Sequence, residues 1–243
     1  MRAYQGCDIG KVRAENQDSV RAEAFPDGVL AIVCDGMGGM QNGSAASKIA
    51  IAAAEERFRA NYQAGMTEEE ICDLLRRAAA DANRKVYQAA LHSSIPSRMG
   101  TTLVGAFVRD DLCCIVNVGD SRAYLIGSEG AAKQLTTDHT VAELLYQKGV
   151  ITAEGRATHE RRNELMRAIG VTFRVLSDTQ SFPLKENEQI LLCSDGFYGM
   201  VDDEKIAEIV RSTAPEQVPE TCIAAANDAG GRDNISVILL TRG

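Results

Sequence analysis

No apolar run in this chain of 243 residues approaches the ~20 residues that a membrane span requires. The opening stretch, Met-Arg-Ala-Tyr-Gln-Gly-Cys-Asp, also lacks the apolar core of a signal peptide. Basic residues are the minority, 26 against 34 acidic, and the resulting net charge of −8 argues against nucleic acid as a partner. No C-x-x-C pair occurs among the seven cysteines, and Cys34, Cys113, Cys114 and Cys193 lie inside apolar runs. That usage reads as reduced core thiols in a reducing compartment. No cysteine is accompanied by a histidine and an arginine-rich loop, which a catalytic thiol would need. What these absences leave is a cytoplasmic protein without membrane or nucleic-acid partners. Its length and 45% hydrophobic content suffice for one large domain over residues 1–243.

What is present is organised around one stretch. The apolar run 29–34 reads as a buried strand and ends on Asp35-Gly36. A loop follows that, with Gly36 included, holds four glycines, and then a helix-like run over 44–58. A lone Asp-Gly is ordinarily a hairpin turn, but here the loop leads into a helix and not a second strand. A phosphate loop needs Lys then Ser or Thr after its last glycine; Ser44-Ala45 follow Gly43 instead. Gln41 stands where the dinucleotide fingerprint has its third glycine. A loop this free of side chains suits a hard-cation site, where a carboxylate and a backbone carbonyl can approach one ion.

Elsewhere the patterns alternate between strand blocks and helix pairs. Strands are expected over 2–9, 19–24, 101–109, 112–118, 123–126, 173–182, 189–193 and 235–240, with a short edge strand at 132–135. A capping box at Thr67-Glu-Glu-Glu70 starts a second helix, and helices are expected over 202–211 and 216–228. Residues 137–170 look helical but charged and interrupted, a surface excursion. Strands joined by tight turns, with helices inserted in pairs, predict an α+β layered fold of antiparallel sheets covered by helices.

Four aspartates repeat one pattern, standing beside a glycine or in a glycine-containing turn at the end of an apolar strand: Asp35, Asp120, Asp195 and Asp233. Asp18, in Asn-Gln-Asp, adds a fifth. Each alone is more simply a turn former or helix cap. If the strand ends converge at one rim, carboxylates that close together demand a cation or protonation. All-oxygen ligands would select Mg²⁺ or Mn²⁺.

Six motifs occur in the order found in protein phosphatase 2C sequences, and along its whole length the chain resembles the compact bacterial branch of that family. They are Arg13-Ala-Glu-Asn-Gln-Asp18, Asp35-Gly-Met-Gly-Gly39, Met99-Gly-Thr-Thr102, Val118-Gly-Asp-Ser-Arg122, Ser194-Asp-Gly196 and Gly231-Arg-Asp-Asn-Ile-Ser236. The resemblance implies a four-layer α-β-β-α sandwich that dephosphorylates phosphoserine and phosphothreonine in proteins. It implies two divalent metals, Mn²⁺ or Mg²⁺, and a third, weaker one. Asp35 would bridge the pair, with the Gly36 carbonyl and Asp18 on one ion and Asp195 and Asp233 on the other. Asp120 would serve the third, and Arg13 would clamp the substrate phosphate. Water activated between the cations would attack phosphorus without a side-chain nucleophile. Phosphorylated proteins, and a serine/threonine kinase sharing those substrates, are the implied partners.

The chain departs from the common pattern in places. Met37 stands where many eukaryotic members have a histidine proposed as general acid; His139 and His159 are candidates to replace it, against a simpler structural role for both. Gln17 takes the place of a commoner glutamate, and Gly43-Ser44 that of Gly-Glu. A flap over 146–167, with Arg156, Arg161, Arg162 and Arg167, would lie beside the site, either to meet an acidic phosphosegment or as a solvated face. The rival readings are a catalytically silent member acting as a binding or regulatory module, which should have lost a metal aspartate, and an NTP-dependent enzyme.

Overall fold

The computed structural model describes residues 1–38, 42–92 and 99–242. The centre of the glycine-rich loop, 39–41, lies outside the described residues. In chain order the elements are β1 (Arg2–Asp8), β2 (Asp18–Ala24), β3 (Gly28–Met37), α1 (Asn42–Asn61), α2 (Glu68–His92), β4 (Gly100–Thr101), β5 (Leu103–Arg109), β6 (Leu112–Val118) and β7 (Arg122–Ile126). There follow β8 (Lys133–Gln134), α3 (Val141–Gln147), α4 (Ala153–Thr158), β9 (Asp178–Pro183), β10 (Gln189–Cys193), α5 (Asp195–Tyr198), α6 (Asp203–Ser212), α7 (Val218–Asp228) and β11 (Ile235–Thr241).

The strands form two sheets with antiparallel pairing throughout. One runs β1-β11-β10-β7-β8; the other runs β2-β3-β5-β6-β9, with β4 added to β3. Side chains alternate across a strand, and β3 shows how that alternation builds the layers. Leu30, Ile32 and Cys34 pack with α1 and α2, whereas Val29, Ala31 and Val33 face the other sheet. On the far side, Leu191 and Cys193 of β10 and Ile235, Val237 and Leu239 of β11 pack against α5, α6 and α7. Ile190, Leu192, Ile238 and Leu240 turn inward between the sheets. Three apolar layers therefore separate helices, sheet, sheet and helices. The α-β-β-α sandwich that the family resemblance implies is the observed fold.

Helix ends follow the expected chemistry. The Glu70 carboxylate accepts from Thr67 N and Thr67 Oγ1 accepts from Glu70 N, closing the capping box ahead of α2. Asp202 caps α6 through the Lys205 N–H. Two expectations are corrected. The strand expected over 173–182 begins only at Asp178, because Asn83 of α2 takes up the carbonyls of Thr172 and Phe173. Within 137–170 the helical expectation holds only for α3 and α4. Gly149 at φ +68 ends the first, in a left-handed conformation that a glycine adopts without strain, and Thr152 caps the second afresh. The four-residue α5 was not anticipated. Among the described residues no helix is long and apolar enough to cross a membrane.

The helix-side core is tightest where Phe58 meets three other rings. It stacks on Tyr62 at 5.2 Å and meets Phe25 at 5.2 Å and Phe107 at 5.0 Å, with no exposed surface of its own. Phe58→Ala should cost about 3–5 kcal/mol, seen as a lower urea midpoint at unchanged slope.

Candidate metal centre

Both sheets deliver carboxylates to one end of the sandwich. Asp18, first residue of β2, stands opposite Asp35 in the register with β3. Asp120 follows β6, Asp195 opens α5 directly after β10, and Asp233 lies just ahead of β11. Asp35, Gly36, Asp120, Asp195 and Asp233 share a cavity of about 1120 Å³ with Arg13 and with part of the segment 163–176. Asp18 does not line that cavity. It lies 6% exposed, with Ser194 Oγ donating to its Oδ2 at 2.7 Å.

The backbone around these groups is held closely. Asp35 N donates to Thr102 Oγ1 at 2.9 Å, and the Asp35 carbonyl accepts from Thr102 N and Thr101 Oγ1, both at 2.8 Å. A Cβ on Gly36 would overlap the Gly43 carbonyl and stand 2.5 Å from that of Gln17, so only glycine fits there. Buried Asn234 joins both sheets at this end. Its Oδ1 accepts from Gln17 N at 2.8 Å, and its Nδ2 donates to the carbonyls of Ile9 and Glu15 at 2.9 and 3.0 Å. Behind Asp120, Arg122 grips Asp138 with two nitrogens and lies 3.6 Å over the Tyr198 ring, while the Tyr198 hydroxyl donates to the Asp120 carbonyl at 2.9 Å.

The electrostatics are those of a repelling cluster. Burial, then the charges of Asp18 and Asp195, pushes the Asp35 carboxyl well above its ordinary range. Asp120 rises likewise, through burial and Asp195, and Asp195 through burial and Asp233. Asp18 is raised to about 7, chiefly by burial and against the Ser194 hydrogen bond. Asp35 and Asp195 keep some surface open to the cavity. Asp18 Oδ1 and Asp195 Oδ1 are buried with no hydrogen-bond partner among the described residues. Unpartnered carboxylate oxygens at mutually repelling groups are donors for a hard cation. Among the described residues no three His, Cys, Asp or Glu side chains already close into a cage around one ion. The fit rests on the unpartnered oxygens, the all-oxygen donor set and the shared cavity.

A sequence profile described as protein phosphatase 2C matches residues 11–227. The chain belongs to the protein phosphatase 2C family. It is 36% identical to the serine/threonine phosphatase stp of Listeria monocytogenes, across 100% of this chain and 96% of that protein. Protein phosphatase PhpP of Streptococcus pneumoniae is 32% identical, over 96% of this chain and 94% of that one. Among solved structures, the serine/threonine phosphatase Stp1 of Staphylococcus aureus superposes with a TM-score of 0.91 at 32% identity, covering 99% of this chain and 94% of that chain. The S. agalactiae serine/threonine phosphatase gives a TM-score of 0.91 at 28% identity, covering 100% and 99%. Divalent-metal dependence is implied for a protein phosphatase 2C chain.

In this protein phosphatase 2C chain the remaining sequence candidates divide. Arg13 is at the cavity, where its half-exposed guanidinium donates to Asp233 Oδ2 at 2.6 Å. The two histidines are elsewhere. His139 Nδ1 accepts from Gly119 N at 3.0 Å, so Nε2 carries the proton and faces Asp178 at 2.9 Å. Burial holds its pKa below the ordinary value. It ties the Asp120 turn to β9 and, through its carbonyl and Met166 N at 2.7 Å, to the cavity-lining segment. His159 sits past the end of α4, where its Nδ1 accepts from Arg161 N. Three arginines of the flap's basic cluster are paired with carboxylates of the chain: Arg161 with Glu164 inside the flap, and Arg156 with Glu143 and Arg167 with Asp178 outside it. Sequence reading placed Asn234 and Arg122 inside motifs but gave them no task. Their buried hydrogen bonds supply one, and no spacing rule would have shown it.

A carboxyl whose folded pKa is raised binds more protons when folded, so its stabilising contribution is fully present below ~3.9 and is lost as pH rises through the folded value. For Asp18 that loss runs from about pH 4 to about 7. EDTA-treated protein should therefore lose more urea resistance between pH 5 and 8 than its Asp18→Asn variant. Equal pH slopes would contradict the repulsion argument.

Proposed function

We propose that the chain hydrolyses phosphoserine and phosphothreonine in proteins at a two-metal centre, with the two sheets and their helices acting as one catalytic domain. One observation carries the reading. Repelling carboxylates line the cavity that also holds Arg13, with Asp18 buried behind them, and Asp18 and Asp195 each keep an oxygen with no hydrogen-bond partner among the described residues. The relatives' names, serine/threonine phosphatases, supply the substrate class.

By the family resemblance, Asp35, the Gly36 carbonyl, Asp18, Asp195 and Asp233 would hold two cations, and Asp120 would help hold a third. Mn²⁺ or Mg²⁺ bound there would supply Lewis acidity, lowering the pKa of water and offsetting charge on the phosphoryl group. The chain's own groups do the rest. Arg13 presents a planar fork of donors to phosphate oxygens at the cavity mouth. Thr101 and Thr102 fix the Asp35 backbone, and Asn234 fixes the loop that carries Arg13. No cysteine or histidine lines the cavity among the described residues. Ser194 Oγ is committed to Asp18, and Thr102 Oγ1 to Ser121. Among the described residues the cavity therefore offers neither a thiol nor an imidazole, which supports attack by water.

The test is hydrolysis of a phosphothreonine peptide by metal-stripped protein with Mn²⁺ added back. Turnover should require the metal and fall by at least about a hundredfold in Asp35→Asn and in Asp233→Asn. No turnover by the intact protein with any divalent metal would sink the reading.

A further inference from the structure

We propose that the segment 166–176 is the docking surface for the peptide that carries the phosphoresidue, selecting substrates with an apolar side chain near the phosphorylated position. The inference rests on the phosphatase reading above. Single exposed apolar residues are ordinary on a protein surface. Here four large ones fall together: Met166 at 55% exposure, Val171 at 47%, Phe173 at 70% and Leu176 at 76%. Three of them, Met166, Val171 and Leu176, line the same cavity as Asp35, Asp195 and Asp233. The apolar surface is thus continuous with the place where the phosphate must sit.

The segment is braced and not loosely draped. Asn83 of α2, 2% exposed, donates to the carbonyls of Thr172 and Phe173 at 3.1 and 3.3 Å and accepts from Gly170 N at 2.8 Å. Gly170 at φ +88 comes so close to α2 that a Cβ would overlap Val86. Val175 packs into the helix-side core, while its neighbours Arg174 and Leu176 line the cavity. Fixing a loop with a buried amide, yet leaving its largest apolar side chains in water, suits a surface that another chain covers.

Charge supports a phosphopeptide as the occupant. Arg174 lines the cavity, and no ion pair joins it to another described residue. The flap arginines at 156, 161 and 167, by contrast, are already neutralised within the chain. An extended peptide with its phosphate among the carboxylate-bound cations and Arg13 would lay its neighbouring residues along this strip. Recognition would then come from apolar contact more than from the flap's basic cluster.

The test uses the full chain with Mn²⁺ and three substrates: a phosphothreonine peptide flanked by leucines, the same peptide flanked by serines, and p-nitrophenyl phosphate. The native protein should prefer the leucine-flanked peptide by about tenfold in kcat/KM, mainly through KM. In the double variant Phe173→Ser/Leu176→Ser, that preference should shrink to about twofold or less. The ratio of peptide to p-nitrophenyl phosphate turnover should fall with it. A native protein indifferent to the flanking residues overturns the proposal. So does a variant that loses both kinds of substrate in proportion, which marks a structural role. A native dimer that the double variant converts to monomer also overturns it, since a second copy then covers the strip. Failure on all three substrates, p-nitrophenyl phosphate included, removes the phosphatase reading itself.

Discussion

Carboxylates forced together out of water set the terms for this molecule. Asp18, Asp35, Asp120 and Asp195 all have raised pKa values, with burial the first cause at every one and neighbouring aspartate charge adding to it. No protein gains stability from such an arrangement alone. It is held because two apolar sheets, packed face to face and covered by helices, supply the folding energy independently of that end. The sandwich is the support, and the acidic rim is what it supports.

The rim is stiffened by polar groups that never touch a substrate. Asn234 binds the 9–17 loop to the start of β11, Thr101 and Thr102 fix the backbone of Asp35, and Arg122 with Asp138 and Tyr198 backs the Asp120 turn. His139 joins that turn to the segment beside the cavity. The same logic recurs in Asn83, which sets the position of the apolar strip. Buried, fully used amides and guanidinium groups give a geometry that apolar packing alone leaves adjustable.

Much of the fold was legible because its signals are local. Alternation along β3 and β10, the capping box before α2 and the repeated Asp at strand ends are all written within a few residues. Those aspartates do converge on one end of the sandwich, although Asp18 lies behind the cavity and not in it. What escaped was set by distant partners. The strand expected from 173 yields to Asn83, ninety residues back in sequence. The two histidines, weighed as general acids, lie outside the cavity lining, one of them buried as a tie between loops. The paired arginines of the flap show the same limit, since composition reveals a basic cluster but not its acidic neighbours.

The central claim is that this acidic end is a divalent-cation centre, and equilibrium dialysis of Mn²⁺ against metal-stripped protein near pH 7.5 addresses it directly. The account predicts about two or more ions bound per chain, with the tighter binding lost in Asp195→Asn. Native protein that binds no more Mn²⁺ than that variant would contradict it, and the buried carboxylates would then have to be held by protonation alone.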